Sequence, residues 1–261
     1  MPVYSNQYTF GGYRQKVSHR SINFLTFRQG GVSSAMRPIW IMGEKHEGYV
    51  LNKGFPGNNA LDLLHRLKRS VLSHHPSMVI IMIGTNDMIN PAKMLGYPVF
   101  RGVLGAIVRK IMETGSEVLL LSLPHVDPSY VLARHKHKIH IVAPNEKIDM
   151  ANAIIREIAM ERACLFLDIN ARFRYYHSPN RKASSLIRNV ENSGFKDGVH
   201  PTPAGYRLIA KSIFDFLKQQ PKRYKRIICF GDSITFGAFS LGMGTSWGRT
   251  YPAILKKLLF T

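Results

Sequence analysis

The sequence predicts a three-layer α/β domain around a central, parallel, five-stranded sheet. Short apolar runs alternate with amphipathic stretches about a dozen or more residues long, the pattern of strand and helix in succession. Four of the five runs are nearly continuous in apolar residues, as strands buried on both faces of a parallel sheet must be. The chain has 261 residues and 45% hydrophobic content, enough for one sizeable core. In such a fold, ligands bind at the carboxyl ends of the strands.

Residues 1–43 contain no Asp or Glu and five Lys or Arg, in a mixture rich in Gly, Ser and aromatics with weak periodicity. This predicts a basic, partly ordered appendage over 1–47 and a domain over 48–261. The domain opens with a strand at Tyr49–Asn52. "NKGFPGNNALDLL" then turns through Gly57, and Asn58 or Asn59 can cap a helix over Ala60–Leu72. A strand at Met78–Ile83, a helix at Val99–Thr114 and a strand at Val118–Ser122 follow. Next come a helix at Asn145–Arg162 and a strand at Leu165–Asp168. The helix Pro203–Lys218 has a clear start, with Thr202 as N-cap and Pro203 at the first helical position. Its Tyr206, Leu208, Ile209, Ile213, Phe216 and Leu217 fit one buried face. The short connection "QQPKRYK" leads into the last strand, Arg226–Phe230, and "SWGRTYPAILKKLLF" ends in a short helix starting near Pro252.

Composition narrows the setting. Cys164 and Cys229 both fall in strand-like runs, which predicts buried free thiols rather than a disulfide and suits a reducing, cytoplasmic compartment. No apolar run approaches the roughly 18 residues of a membrane span, and the first 30 residues hold no leader-like apolar segment, so secretion is expected only if a leader was removed. With 36 Lys and Arg against 16 Asp and Glu, the net charge of +20 predicts an anionic partner such as nucleic acid or an anionic lipid surface.

Four islands can carry chemistry. In "FGDSIT", Ser233 follows an apolar strand, and Gly231 permits a tight exit that presents the hydroxyl, although Thr235 breaks the G-x-S-x-G pattern. In "DGVHP", Asp197 stands three residues before His200, where its carboxylate can accept the Nδ1 proton and leave Nε2 free as a base. In "IGTNDM", the Asn86 side-chain amide at a strand end can donate to an oxyanion. In "GFPGNN", Gly57 can bring its backbone N–H close to a substrate oxygen. Each island alone also reads as ordinary turn composition. Together they supply a nucleophile, a base, an orienting carboxylate and two oxyanion donors, all at predicted strand ends, the parts list of acyl transfer.

These islands resemble the four blocks of the SGNH (GDSL) hydrolase family: "GDSIT" with Ser233, "GFPGNN" with Gly57, "GTND" with Asn86 and "DGVHPT" with Asp197 and His200. The resemblance covers 48–261. It implies a flavodoxin-like SGNH fold and a serine esterase with Ser233, His200 and Asp197 as the triad. It places the Ser233 and Gly57 backbone N–H groups and the Asn86 side chain at the oxyanion, and it needs no metal or organic cofactor. Short acyl groups, such as acetyl on a carbohydrate, are the implied substrates, followed by lysophospholipid or thioester. A basic protein that binds nucleic acid or anionic lipid without catalysis is the competing class.

The order of the blocks departs from the family, in which the serine block comes first. Moving 222–261 to the front restores that order, so the chain reads as a circular permutation or as a stretch spanning two tandem copies. The serine strand is central in the family's sheet, so the other strands must leave a slot for it. That slot is filled from the same chain, or from a partner in a swapped homodimer. Two basic stretches complete the inventory. "RHKHKIH", Arg134–His140, lacks the spacing and the acidic or thiol ligands of a metal site and reads as a solvated basic loop. "RFRYYHSPNRK", Arg172–Lys182, interleaves cations and aromatics, which suits nucleic acid or a glycan, and also reads as a solvated loop.

Overall fold

The structure is a computed structural model and describes residues 47–135 and 141–261. Of the basic appendage expected over 1–47, all but Glu47 lies outside the described residues, as do the five residues 136–140 of the "RHKHKIH" stretch.

Five strands form the sheet: β1 (Tyr49–Gly54), β2 (Met78–Met82), β3 (Glu117–Leu121), β4 (Leu165–Leu167) and β5 (Arg226–Gly231). All pairings are parallel, and the order is β1-β5-β2-β3-β4. The last strand in the chain therefore fills the slot between β1 and β2 of its own sheet. Its Ile227 lies level with Val50 on one side and Met78 on the other. Every residue of β2, and every residue of β5 after Arg226, is buried, which explains their unbroken apolar runs.

Five longer helices match the amphipathic stretches: α1 (Ala60–Ser70), α3 (Tyr97–Met112), α5 (Pro144–Glu161), α8 (Pro203–Lys218) and α10 (Tyr251–Phe260). Helix α3 packs on α1 and α5, while α8 packs on α10. Local chemistry sets their starts. Asn59 and Asp62 form a reciprocal capping box on α1, Thr202 accepts from Gly205 N on α8, and Thr250 accepts from Ala253 N on α10.

Between them lie α2 (Thr85–Ile89), α4 (Pro128–Arg134), α6 (Ile169–Tyr175), α7 (Val190–Ser193) and α9 (Ser233–Phe236). None of these is expected from the sequence, because a helix of one or two turns shows no readable apolar period. They correct three readings. Arg172–Tyr175, expected as loop, closes α6. Arg134 ends α4 instead of opening a loop. Asp197 and His200 follow no strand; they sit in the loop between α7 and α8, held by the bridge of Ile187 with Pro201.

Candidate active site

Strand β5 leaves the sheet through Gly231. A methyl group there would lie 2.3 Å from the Met82 carbonyl oxygen and 2.3 Å from Thr235 Oγ1, so only glycine passes. Asp232 then caps α9, its Oδ1 accepting from Ile234 N at 2.9 Å, and Ser233 is the first helical residue. The turn is locked from below by Thr235, whose hydroxyl lies 3.0 Å from that of the fully buried Tyr251.

The α7–α8 loop brings His200 to this turn. His200 Nε2 lies 3.0 Å from Ser233 Oγ, and Nδ1 lies 2.9 Å from Asp197 Oδ2 and 3.1 Å from Oδ1. Asp197 also accepts from the backbone N–H groups of Val199 at 2.8 Å and His200 at 2.7 Å. The carboxylate thus shapes the loop as well as facing the imidazole. Burial works to raise its pKa, but the hydrogen bond and charge of His200, with those backbone donors, outweigh it and hold the group at about 2. Phe239, three residues past α9, stands edge-on to the imidazole, with ring centroids 5.1 Å apart.

The other two islands meet beside it. Gly57 holds φ +77°, the left-handed region that glycine enters freely. Asn86, in the first turn of α2, donates from Nδ2 to the carbonyl of Asn58, the residue after Gly57, at 2.9 Å, and its Oδ1 accepts from Asn90 Nδ2 at 3.2 Å. That turn is fastened to β5 by Phe55 N, which donates to the Gly231 carbonyl at 3.1 Å. Arg66 adds hydrogen bonds to Asn58 Oδ1 at 2.6 Å, Lys53 O at 2.9 Å and Gly231 O at 2.8 Å. Beneath them Asp87 is buried and accepts from Ala60 N at 2.9 Å, joining α2 to α1. Burial pushes its pKa up to about 7.

The structure thus brings Ser233, His200 and Asp197 into one hydrogen-bonded line, and joins Gly57 to Asn86 through Asn58. Arg66 and Phe239 escaped sequence reasoning. Arg66 is one cation among many on a helix, and Phe239 one aromatic in a loop. Cys164 and Cys229 are free. Burial pushes the Cys164 thiol up to about 11 and that of Cys229 well above its ordinary value, so neither is an activated nucleophile. No metal-holding group of three or more His, Cys, Asp or Glu occurs among the described residues, nor any helix long and apolar enough to cross a membrane.

Similar solved structures include the acetyl xylan esterase AlAXEase, at 22% identity over 62% of this chain and 77% of that one, with a TM-score of 0.49. A catalytic mutant of Axe2, an acetylxylan esterase from Geobacillus stearothermophilus, matches at 22% identity over 61% of this chain and 67% of that one, with a TM-score of 0.48. A GDSL-like lipase from Bacteroides thetaiotaomicron matches at 22% identity over 62% and 72%, with a TM-score of 0.47. No curated protein matches significantly. The sequence model of the GDSL-like lipase/acylhydrolase family matches residues 41–208, well over half the chain, a span that holds Gly57, Asn86, Asp197 and His200. The chain belongs to that family and is a carboxylic ester hydrolase.

Proposed function

We propose that the protein is a serine esterase that removes short acyl groups, acetyl foremost, through an acyl-enzyme. The observation that carries this reading is the line from Ser233 Oγ to His200 Nε2 at 3.0 Å and from His200 Nδ1 to Asp197 Oδ2 at 2.9 Å. Ser233 Oγ attacks the ester carbonyl as His200 Nε2 takes its proton, and Asp197 holds the tautomer and stabilises the imidazolium. The Ser233 and Gly57 N–H groups and the second N–H of the Asn86 amide meet the oxyanion. His200 returns the proton to the leaving alcohol, then activates water to hydrolyse the acyl-enzyme. No cofactor enters these steps.

The block order is read as a circular permutation. The family match ends at residue 208, before the serine block. The end of α10 also lies against the start of β1: a methyl group on Gly48 would come within 2.3 Å of the Phe260 ring. The ends that the family joins are therefore neighbours here. Residues 1–47 are read as a basic appendage, and the free thiols favour a reducing compartment such as the cytoplasm.

Hydrolysis of p-nitrophenyl acetate tests the reading. The wild type releases p-nitrophenol and Ser233→Ala does not; equal release by both overturns it. The net charge of +20 favours a second reading, a basic protein that binds nucleic acid or anionic lipid. Binding with a steep salt dependence, unaltered in Ser233→Ala and without ester hydrolysis by the wild type, would support that instead.

A further inference from the structure

Arg188 lies in the segment that runs beside the His200 loop. Its N–H donates to the His200 carbonyl at 2.9 Å, its own carbonyl accepts from Gly198 N at 2.9 Å, and its neighbour Ile187 bridges Pro201. The backbone therefore fixes Arg188 against the loop that carries Asp197 and His200. Its side chain reaches the segment after the serine: the guanidinium carbon lies 4.9 Å from the centroid of the Phe239 ring, the ring that stands edge-on to His200. Phe239 is 55% exposed and holds φ +64°, a conformation that an L-residue other than Asn or Asp adopts at a cost. Cation, aromatic ring and imidazole form one file that ends on the group bonded to Ser233.

Stacking does not exhaust what this arginine offers. A guanidinium lying over a ring uses its face, and its N–H donors still point outward in the plane. Among the described residues no hydrogen bond or ion pair engages the Arg188 side chain, and its Nε is buried without an acceptor. Several other arginines are matched. Arg66 serves two carbonyls and an amide oxygen, Arg134 the carbonyl of Asp197, Arg109 the carboxylate of Glu113, and Arg156 that of Asp168. The carboxylate of the adjoining loop is already committed, since both Asp197 oxygens face His200 and the backbone donors of its turn. A half-buried cation with unspent donors calls for an anion, and a planar fork suits a carboxylate or a phosphate.

We propose that Arg188, braced by Phe239, is a substrate-recognition residue, and that the ester this protein hydrolyses carries a carboxylate or phosphate close to the scissile bond. The proposal rests on the reading of Ser233, His200 and Asp197 as the reacting centre, and it names the substrate class that centre takes: an anionic ester.

Two substrate pairs test it and separate the sources of charge. p-Nitrophenyl butyrate against mono-p-nitrophenyl glutarate places the anion on the acyl side. Acetylglycerol against its phosphate ester, followed by acetate release, places it on the alcohol side. The wild type is expected to favour the anionic member of one pair by about tenfold or more in kcat/KM, with the preference shrinking as salt rises. In Arg188→Met, which keeps the length that packs on Phe239, that ratio falls toward one. In Arg188→Lys, which keeps charge but not the fork, it recovers only in part. Thermal melting identifies which variants are folded, and either carries the comparison. Calorimetric binding of the two anionic esters to Ser233→Ala, with and without Arg188→Met, reads the site without turnover. Hydrolysis of the neutral members with no anionic preference, or a preference that survives Arg188→Met, overturns the proposal and leaves the esterase reading standing. Arg188-dependent binding with no hydrolysis of any ester supports the anion site and overturns the esterase reading. Neither hydrolysis nor binding overturns both.

Discussion

Arg66 Nη2 donates to the carbonyl of Gly231 across 2.8 Å, joining α1 to the turn two residues before Ser233. The same guanidinium holds Lys53 O and Asn58 Oδ1 and lies 4.5 Å from the centroid of the Phe230 ring. One side chain thus fastens the end of β1, the turn around Gly57 and the exit of β5. This matters because β5 comes last in the chain and must enter a slot between strands that precede it. Burial lowers the pKa of Arg66 to about 10, still high enough to keep it charged at neutral pH.

Arg66→Met is therefore expected to destabilise the fold by about 2 to 4 kcal/mol, because it leaves several polar groups without their charged partner. Arg66→Lys should restore little, since an ammonium cannot reach several divergent acceptors as a planar fork does. Urea unfolding of the three proteins measures this. A loss under about 0.5 kcal/mol for Arg66→Met would show that the clamp is dispensable.

Asp197→Asn keeps the shape of its turn, since the amide oxygen can still accept from Val199 or His200 N, but it no longer stabilises an imidazolium. A fall in kcat of about a thousandfold or more is expected, with the melting temperature changed far less than the rate. In the wild type the low pKa of Asp197 keeps the carboxylate ionised from about pH 2 upward, so its protonation should not set the acid limb of activity near pH 4. Stopped assays across pH 3–8 on both proteins check the two statements.

Asp87 makes the stability of the fold depend on pH. Its folded pKa of about 7 stands above the ordinary aspartate value of 3.8, so between about pH 4 and 7 the folded state holds a proton that the unfolded chain has released. Unfolding then frees a proton, and stability falls as pH rises through that window. Asp232, raised by burial to about 6, adds to the slope at its lower end. Asp87→Asn cannot ionise and can still accept from Ala60 N. It should match the wild type near pH 4 and exceed it by about 4 kcal/mol at pH 8. Melting curves at the two pH values decide this, and an equal or lower stability of the variant at pH 8 would refute it.

If the block order is a permutation of an otherwise ordinary fold, a chain that begins at Lys222, joins Thr261 to Glu47 and ends near Gln220 should fold and hydrolyse p-nitrophenyl acetate within about tenfold of the parent, because Phe260 already touches Gly48. Loss of folding in that rearranged chain would show that the present order is required.

Much was legible in the sequence because its signals are local. The strands at Met78 and Arg226 announce themselves as unbroken apolar runs, since both faces of β2 and β5 are covered. Helix α8 runs over Pro203–Lys218, the span its cap and proline predict. Ser233, His200, Asp197, Gly57 and Asn86 could be named from residue type and spacing, and the family resemblance put them in roles. What only the tertiary structure decided is who meets whom. Arg66 and Gly231 are 165 residues apart, and His200 and Ser233 are 33. Arg188 and Phe239 belong to segments with no shared local pattern. The apolar period of a segment reports which face it buries. Which partners that face finds depends on the order of the strands across the sheet, and here the slot between β1 and β2 brought Ser233 to His200.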